Sequence, residues 1–72
     1  MDLKKIECID EIKQGDWVYM VGNSDNDFKN YLVQFECIDN GKYGYRHLSG
    51  KTVLRSSDAL LCHYNLFYKV EK

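Results

Sequence analysis

An Asn-Gly pair at positions 40 and 41 lies between two stretches rich in aromatic and β-branched side chains, residues 31–38 and 43–48. Asn-Gly is the preferred pair for a two-residue turn of type I′, because both central residues of that turn take a positive φ. The pattern therefore predicts a β-hairpin closed by Asp39 and Lys42. This turn constrains the fold more than any other feature, since it also determines which residues of the two strands face each other.

A regular ladder built outwards from this turn assigns each residue of the hairpin to one of two faces. One predicted face contains Val33, Phe35, Cys37, Gly44, Arg46 and Leu48. The other contains Leu32, Gln34, Glu36, Ile38, Tyr43, Tyr45 and His47. The first face is more uniformly apolar along its leading strand, so we expect it to point into the core, with Arg46 extending to solvent near one end. The second face mixes polar and aromatic side chains, as a half-solvated face does.

Short segments separated by turn signals predict the other elements. Besides the two hairpin strands, strands are predicted at residues 17–21, 51–55 and 66–70, a lead-in strand outside these five at residues 3–9, and a polar loop at residues 22–29. Residues 10–13 predict one helical turn, and Ser56-Ser57-Asp58 predicts a helix cap followed by a single turn. No helical pattern is long enough to cover a sheet, so the sheet must curl on itself to bury a face. We therefore predict one all-β domain over residues 1–72, a five-stranded antiparallel barrel with one helical turn before the last strand.

The order of these features resembles a known superfold. Gly15-Asp16-Trp17-Val18, the long first loop, the central hairpins and the helical turn at residues 58–61 are similar in layout to the SH3-like small β-barrels, including the Tudor and KOW groups. The resemblance extends over about residues 12–70. Members of that superfold bind proline-rich or methylated peptides, RNA, ribosomal partners or other proteins. The resemblance therefore implies a binding module without specifying its ligand, and no residue role is carried over from it.

Composition argues against several classes of protein. Ten Lys and Arg against eleven Asp and Glu give a net charge of −1, without the basic surplus typical of nucleic-acid binders. The three cysteines lack C-x-x-C spacing, which argues against a disulfide framework and against a zinc site. No apolar run approaches the roughly 18 residues of a membrane helix. We expect a cytoplasmic protein that binds no metal, cofactor or membrane.

No grouping of side chains predicts catalysis. Cys62 and His63 are adjacent, and adjacent residues of an extended chain point to opposite faces. Cys37 and His47 fall on opposite predicted faces of the hairpin. We interpret Cys8 and Cys37 as core thiols, because a free cysteine behaves as a small apolar side chain. The expectation is a protein that is not an enzyme.

The aromatic side chains predict a surface that binds another protein. The outer face of the sheet is expected to carry Trp17, Tyr19, Tyr43, Tyr45 and His47. Tyr and Trp are favoured at interfaces, because they offer a large contact area with few torsions to immobilise. The leading hypothesis is a protein-interaction module that is a monomer or a weak homodimer. The alternative is that a strongly bent sheet buries both faces and these rings only cover its ends.

Two further hypotheses remain open. The first is binding of RNA or single-stranded nucleic acid, because Lys42, Arg46, Lys51 and Arg55 are interleaved with tyrosines that are able to stack on bases. The second depends on size and composition alone: proline-free, Lys-, Asn- and Tyr-rich chains are typical of small bacterial or phage accessory proteins, including inhibitors of host enzymes. An unpaired edge at residues 3–9 or 66–70 would also allow pairing with a second copy.

Overall fold

The computed structural model describes residues 2–24 and 29–71. Its strands are β1 (Asp2–Lys5), β2 (Trp17–Gly22), β3 (Tyr31–Asp39), β4 (Lys42–His47), β5 (Thr52–Ser56) and β6 (Tyr64–Glu71). A 3₁₀ turn spans Ile9–Glu11, and the helix α1 spans Ser57–His63. The strands form one antiparallel sheet in the order β1-β6-β2-β3-β4-β5. The all-β class is as predicted, with six strands instead of five.

The sheet is open, which corrects the prediction of a closed barrel. Within the described part of the chain, the two edge strands β1 and β5 do not pair with each other. β1 pairs with β6 and places β6 in the interior of the sheet, so the predicted edge at residues 66–70 is wrong. Of the two alternatives, the edge lies in the first segment, where β1 spans Asp2–Lys5 and not the whole of residues 3–9. Helix α1 is longer than the predicted single turn and contacts both β5 and β6.

The turn at Asn40-Gly41 has the predicted form. Asn40 has a φ of +50° and Gly41 a φ of +75°, and Asp39 faces Lys42 across the ladder. Glycine suits the second position, since the absence of Cβ removes the steric cost of a positive φ. The turn therefore closes the central hairpin at the predicted residues.

A β-bulge at Glu36 changes the register beyond this turn. Cys37 pairs with Gly44 as predicted, but Phe35 faces Tyr45 in the position predicted for Glu36. One extra residue in a strand reverses the alternation of faces for every residue beyond it. The bulge therefore brings Tyr43 and Tyr45 onto the same face as Val33 and Phe35.

Deleting Glu36 is expected to preserve the fold, because a regular ladder would then pair Phe35 with Tyr45 and Cys37 with Gly44 as now. The deletion removes the exposed ion pair between Glu36 and Arg46, whose nitrogen and oxygen are 2.8 Å apart. Such surface pairs contribute about 0–1 kcal/mol. The urea unfolding midpoint of the deletion variant checks this. Complete loss of the fold would show that the bend at the bulge, and not only the pairing, is required.

The core occupies the inner face of the curled sheet. Its buried side chains are Ile12, Val18, Met20, Val33, Phe35, Tyr43, Tyr45, Leu60, Tyr64 and Phe67. The ring of Phe35 packs against Tyr45 at a centroid distance of 5.3 Å and against the edge of Tyr43 at 6.0 Å. These are favourable separations for aromatic pairs. The predicted core positions Val18, Val33 and Phe35 are confirmed.

The two helical segments are fixed by side-chain caps and contribute to the core. The carboxylate of Glu11 accepts the backbone N–H groups of Cys8, at 2.9 Å, and Glu7, at 2.8 Å, and these hydrogen bonds lower the pKa of Glu11. The hydroxyl of Ser56 accepts the N–H of Ala59 at 3.2 Å, which confirms the predicted N-cap of the helix. Leu60 of α1 is fully buried.

Other residues assigned to the core by a regular ladder are on the surface. Cys37 is exposed because the bulge separates it from the face of Phe35, and Leu48, just beyond the end of β4, is 70% exposed. Arg46 lies on the outer face and not on the core face. Cys8 precedes the 3₁₀ turn and is also exposed. The interpretation of Cys8 and Cys37 as core thiols is therefore wrong.

Candidate functional site

A band of apolar and aromatic side chains crosses the outer side of the sheet on β1, β6, β2 and β3. The register places Tyr19 between Leu32 of β3 and Tyr68 of β6, and it pairs Leu3 with Val70. This band, here named the outer apolar face, consists of Leu3, Trp17, Tyr19, Val21, Leu32, Leu66, Tyr68 and Val70. Trp17 is 38% exposed and Leu3 51%, and the other members are partly exposed. The face therefore extends over four adjacent strands.

The polar groups around this face are mostly uncharged. The amide of Asn30 donates to the hydroxyl of Tyr19 at 3.0 Å, and its carbonyl accepts the N–H of Gly22 at 2.9 Å. Among the described residues of the four strands, Lys5, Glu36 and Asp39 are the charged side chains that alternate onto this side, and Asp39 lies at the end of β3 beside the turn. A surface of this kind suits an apolar protein partner better than a polyanion, because phosphate binding depends on cationic side chains.

The structure separates the residues predicted to bind a protein partner. Trp17 and Tyr19 lie on the outer side, as expected. Tyr43 is 4% exposed and Tyr45 0%, so their predicted exposure is wrong. The bulge at Glu36 is the cause, because it places Tyr43 and Tyr45 on the same side of the sheet as the buried residues of β3. His47 lies two residues after Tyr45 on β4 and therefore also points to the inner side, where it lines a cavity.

Part of the predicted rim of the interface is not described. Residues 25–28 of the loop at 22–29 lie outside the described residues.

Sequence reasoning missed Leu3, Leu66, Tyr68 and Val70, and it placed Leu32 on the outer side without naming it as a site residue. The signal available was the nearly continuous apolar run Leu66-Phe67-Tyr68, which is typical of a strand with apolar side chains on both faces. Their place beside Trp17 depends on the position of β6 between β1 and β2. That pairing is long-range, and no local turn signal specifies it.

A second feature is a cavity of about 300 Å³ on the inner side, where β3 begins and β4 ends. This basic cavity is lined by Tyr31, His47, Ser49, Lys51, Val53, Arg55 and Tyr64. None of these described lining residues carries a carboxylate. The cavity is therefore lined by two cations, a histidine and three hydroxyl groups.

Aromatic contacts and hydrogen bonds hold the wall of the basic cavity in place. Tyr31 meets His47 edge-to-face with ring centroids 4.7 Å apart. Arg55 donates from Nε to the hydroxyl of Tyr45 at 3.0 Å, and the side chains of Tyr45 and Tyr64 are hydrogen-bonded to each other. The guanidinium group is therefore positioned by a chain of two buried tyrosines.

The electrostatic environment of the basic cavity shifts two titrating groups. Burial lowers the pKa of His47, and the nearby Lys51 and Arg55 lower it further. Burial together with the neighbouring Tyr45 raises the pKa of Tyr64 to about 12. Tyr64 therefore keeps its proton near neutral pH, and His47 is predominantly uncharged there.

The basic residues predicted to bind nucleic acid do not form one strip. Lys51 and Arg55 line the basic cavity, whereas Lys42 lies at the opposite end of β4 beside the Asn40-Gly41 turn. Arg46 points to the outer side and pairs with Glu36. The four cations are thus distributed over both faces and both ends of the hairpin.

Metal and membrane sites were also considered for residues 2–24 and 29–71. This part of the chain contains no group of three or more His, Cys, Asp or Glu side chains able to hold a metal ion. None of its helices is long and apolar enough to span a bilayer.

Comparison with protein-family models, curated proteins and solved structures finds no match to this chain. The assignment of sites therefore depends on the geometry of the chain itself.

Proposed function

We propose that the protein is a non-catalytic interaction module that binds another protein through the outer apolar face. The observation that carries the proposal is the continuity of apolar side chains over four adjacent strands, centred on Trp17, Tyr19 and Tyr68. Large contiguous apolar patches are uncommon on monomeric proteins and mark interaction surfaces. The buried side chains of the sheet lie on its inner side, so the outer band is not required to form the core.

The chemistry of the outer apolar face favours a partner with an apolar surface of its own. Trp and Tyr are the residues most enriched at the energetic centre of protein interfaces. The hydroxyl of Tyr19 and the amide of Asn30 supply the polar edge that such interfaces usually have. Because the described buried residues form one core within a single chain, we propose a separable complex with a different protein.

The arrangement of strands supports a binding module of the SH3-like superfold. Helix α1 lies directly before the last strand, and that strand, β6, returns to pair with β2, which begins at Trp17. This order of strands is compatible with a small β-barrel-like fold, in an open sheet with β1 added beside β6. Members of a superfold differ in their ligands, so this layout supports the class of protein and not one partner.

Site-specific crosslinking in cells of the native host tests this proposal. A photo-reactive phenylalanine analogue at position 17 or 68 is expected to give one discrete crosslinked protein, insensitive to nuclease. The matched control is position 54, because Leu54 is also exposed but lies on β5, three strands from β2. With the purified partner, Trp17→Ala is expected to weaken binding by about 2 kcal/mol, roughly thirtyfold. Leu54→Ala should leave the affinity unchanged.

Two outcomes would contradict the proposed partner. A crosslinked product with the mass of two copies of this chain would assign the face to self-association. Equal products from positions 17 and 54 would show that the outer apolar face has no specific partner. Amide NMR spectra of Trp17→Ala and Tyr68→Ala establish that a loss of binding does not result from unfolding.

A further inference from the structure

We propose that the basic cavity is a second, independent site, which binds the terminal phosphate group of a small phosphorylated molecule. Its lining residues lie on the inner side of the sheet, whereas the outer apolar face lies on the other side. Tyr31 and Leu32 illustrate this separation, because adjacent residues of β3 alternate between the two sides. The site is therefore accessible whether or not the outer apolar face is covered.

The charges around the cavity are unbalanced. The ion pairs among residues 2–24 and 29–71 are Arg46 with Glu36 and Lys69 with Asp16, and both lie outside the cavity. Lys51 and Arg55 line the same cavity without a carboxylate from any described lining residue. Two cations near one another repel, and an anion bound between them is attracted to both, which offsets that repulsion. The chain as a whole has a net charge of −1, so the cations at the cavity do not follow from an overall basic composition.

Arg55 is held in a geometry that suits an anion with several oxygens. Its Nε is engaged by Tyr45, and Tyr45 is in turn held by Tyr64. The two terminal nitrogens of the guanidinium group remain as a planar pair of donors. Two such nitrogens can donate to two oxygens of one phosphate. Because Tyr45 already holds the Arg55 side chain in place, less side-chain entropy is lost on binding. Ser49 and Lys51 add further donors on the exposed side of the cavity.

The size and surroundings of the cavity favour a terminal phosphate over a nucleic-acid backbone. A volume of about 300 Å³ is at the lower end of the range for small-molecule sites. A phosphate monoester carries nearly two charges and three free oxygens at neutral pH. A backbone phosphodiester carries one charge, and its binding requires a track of cations. Lys42 and Arg46 do not continue such a track from the cavity.

His47 makes the site dependent on pH. The groups that face it are Tyr31 from β3, Tyr45 from its own strand, Lys51 from the turn, Arg55 from β5 and Tyr64 from β6. In the free protein, burial and the two cations lower the pKa of His47. A bound dianion favours the protonated ring, so binding takes up a proton. The affinity for a dianion therefore rises as the pH falls from about 8 to 6.

Titrations followed by amide NMR test the site with the full chain at low salt. Inorganic phosphate and adenosine monophosphate are expected to give saturable shifts at His47, Ser49, Lys51 and Arg55, and adenosine none. Lys51→Gln, at an exposed position, should weaken phosphate binding about tenfold through loss of a charge-assisted contact. The matched control, Lys42→Gln, removes the same charge from the other end of β4. It should change the affinity less than about twofold, as expected of screened long-range attraction.

The pH dependence is measured with sulfate, which stays a dianion over this range. The wild-type affinity should rise towards pH 6, and His47→Gln should make it nearly independent of pH. Three results would overturn the proposal: shifts that do not saturate, equal losses from Lys42→Gln and Lys51→Gln, and a flat pH profile in the wild type. Tighter binding of a single-stranded oligonucleotide without a terminal phosphate would also overturn it, by assigning the cavity to a nucleic-acid backbone.

Discussion

Replacing Tyr45 by alanine is expected to remove a large part of the protein's stability. The ring is fully buried against Phe35, and its hydroxyl accepts from Arg55 and is hydrogen-bonded to Tyr64. Truncation of a large buried aromatic side chain costs about 3–5 kcal/mol. A chain of this length typically has roughly 4–11 kcal/mol of stability in total, at 0.05–0.15 kcal/mol per residue. Urea unfolding followed by far-UV circular dichroism measures the loss.

Two companion variants separate the contributions of Tyr45. Tyr45→Phe keeps the ring and removes only the hydroxyl, so it should cost about 1–3 kcal/mol, because Arg55 then lacks its acceptor. Leu54→Ala removes an exposed side chain from the neighbouring strand and should cost less than about 0.5 kcal/mol. A cost for Tyr45→Ala no larger than that of Leu54→Ala would mean that the ring is exposed, as the regular ladder predicts.

Replacing Leu60 by alanine should cost about 2–5 kcal/mol, the usual range for truncation of a buried leucine. Leu60 is the buried residue of helix α1. Helix α1 contacts both β5 and β6, so the substitution removes the side chain that anchors this helix to the core. An isolated helix of seven residues is not stable on its own, and packing supplies most of its stability. We therefore expect the amide protons of α1 to exchange faster in this variant than in the wild type, through local opening of the helix.

The neighbouring residue supplies a matched control. Leu61→Ala makes the same chemical change in the same helix, but Leu61 is exposed. Helix propensity changes equally in the two variants, so any difference between them reports burial. Leu61→Ala should shift the urea midpoint little and leave amide exchange in α1 unchanged. Equal effects of the two substitutions would show that Leu60 does not anchor the helix.

The local elements of the fold were largely predictable from the sequence. Asn40-Gly41 predicts its own turn, because few other pairs take two positive φ values at low cost. Ser56 predicts the start of the helix, because a hydroxyl at that position caps a free N–H. Val18 and Met20 alternate with Trp17 and Tyr19, so the inner and outer sides of β2 follow from period two. Each of these signals lies within a few residues of the feature it predicts.

The sides of the hairpin were not predictable in the same way. The bulge at Glu36 has no marker in the sequence, since Glu36 follows Phe35 in an otherwise regular apolar strand. Because the regular ladder did not allow for this one extra residue, it predicted Tyr43 and Tyr45 on the outer side, whereas they lie on the inner side. The regular ladder was correct near the turn, where Ile38 faces Tyr43, and wrong beyond the bulge. Assigning the sides of a strand over more than a few residues therefore assumes that the strand has no bulge, and the local sequence does not show whether that is so.

The candidate sites required long-range pairing. Trp17 and Tyr19 were predicted to be on the surface, but their neighbour Tyr68 belongs to a strand about fifty residues later. The cavity combines Lys51 and Arg55, which the sequence assigned to nucleic-acid binding, with His47, which it assigned to a protein interface, and with Tyr31, to which it gave no role. Only the pairing of β3 with β4 and of β4 with β5 places these side chains around one space. Their common chemistry was therefore visible only after the sheet had been assembled.

The placement of the aromatic side chains gives the molecule two separate optical reporters. Its one tryptophan lies on the outer apolar face, whereas Tyr43, Tyr45 and Tyr64 are in the core. Indole fluorescence should shift to shorter wavelength when the outer apolar face is covered, while the near-ultraviolet dichroism of the tyrosines follows loss of tertiary packing. Occupancy of the surface and integrity of the interior can thus be recorded in the same unlabelled sample.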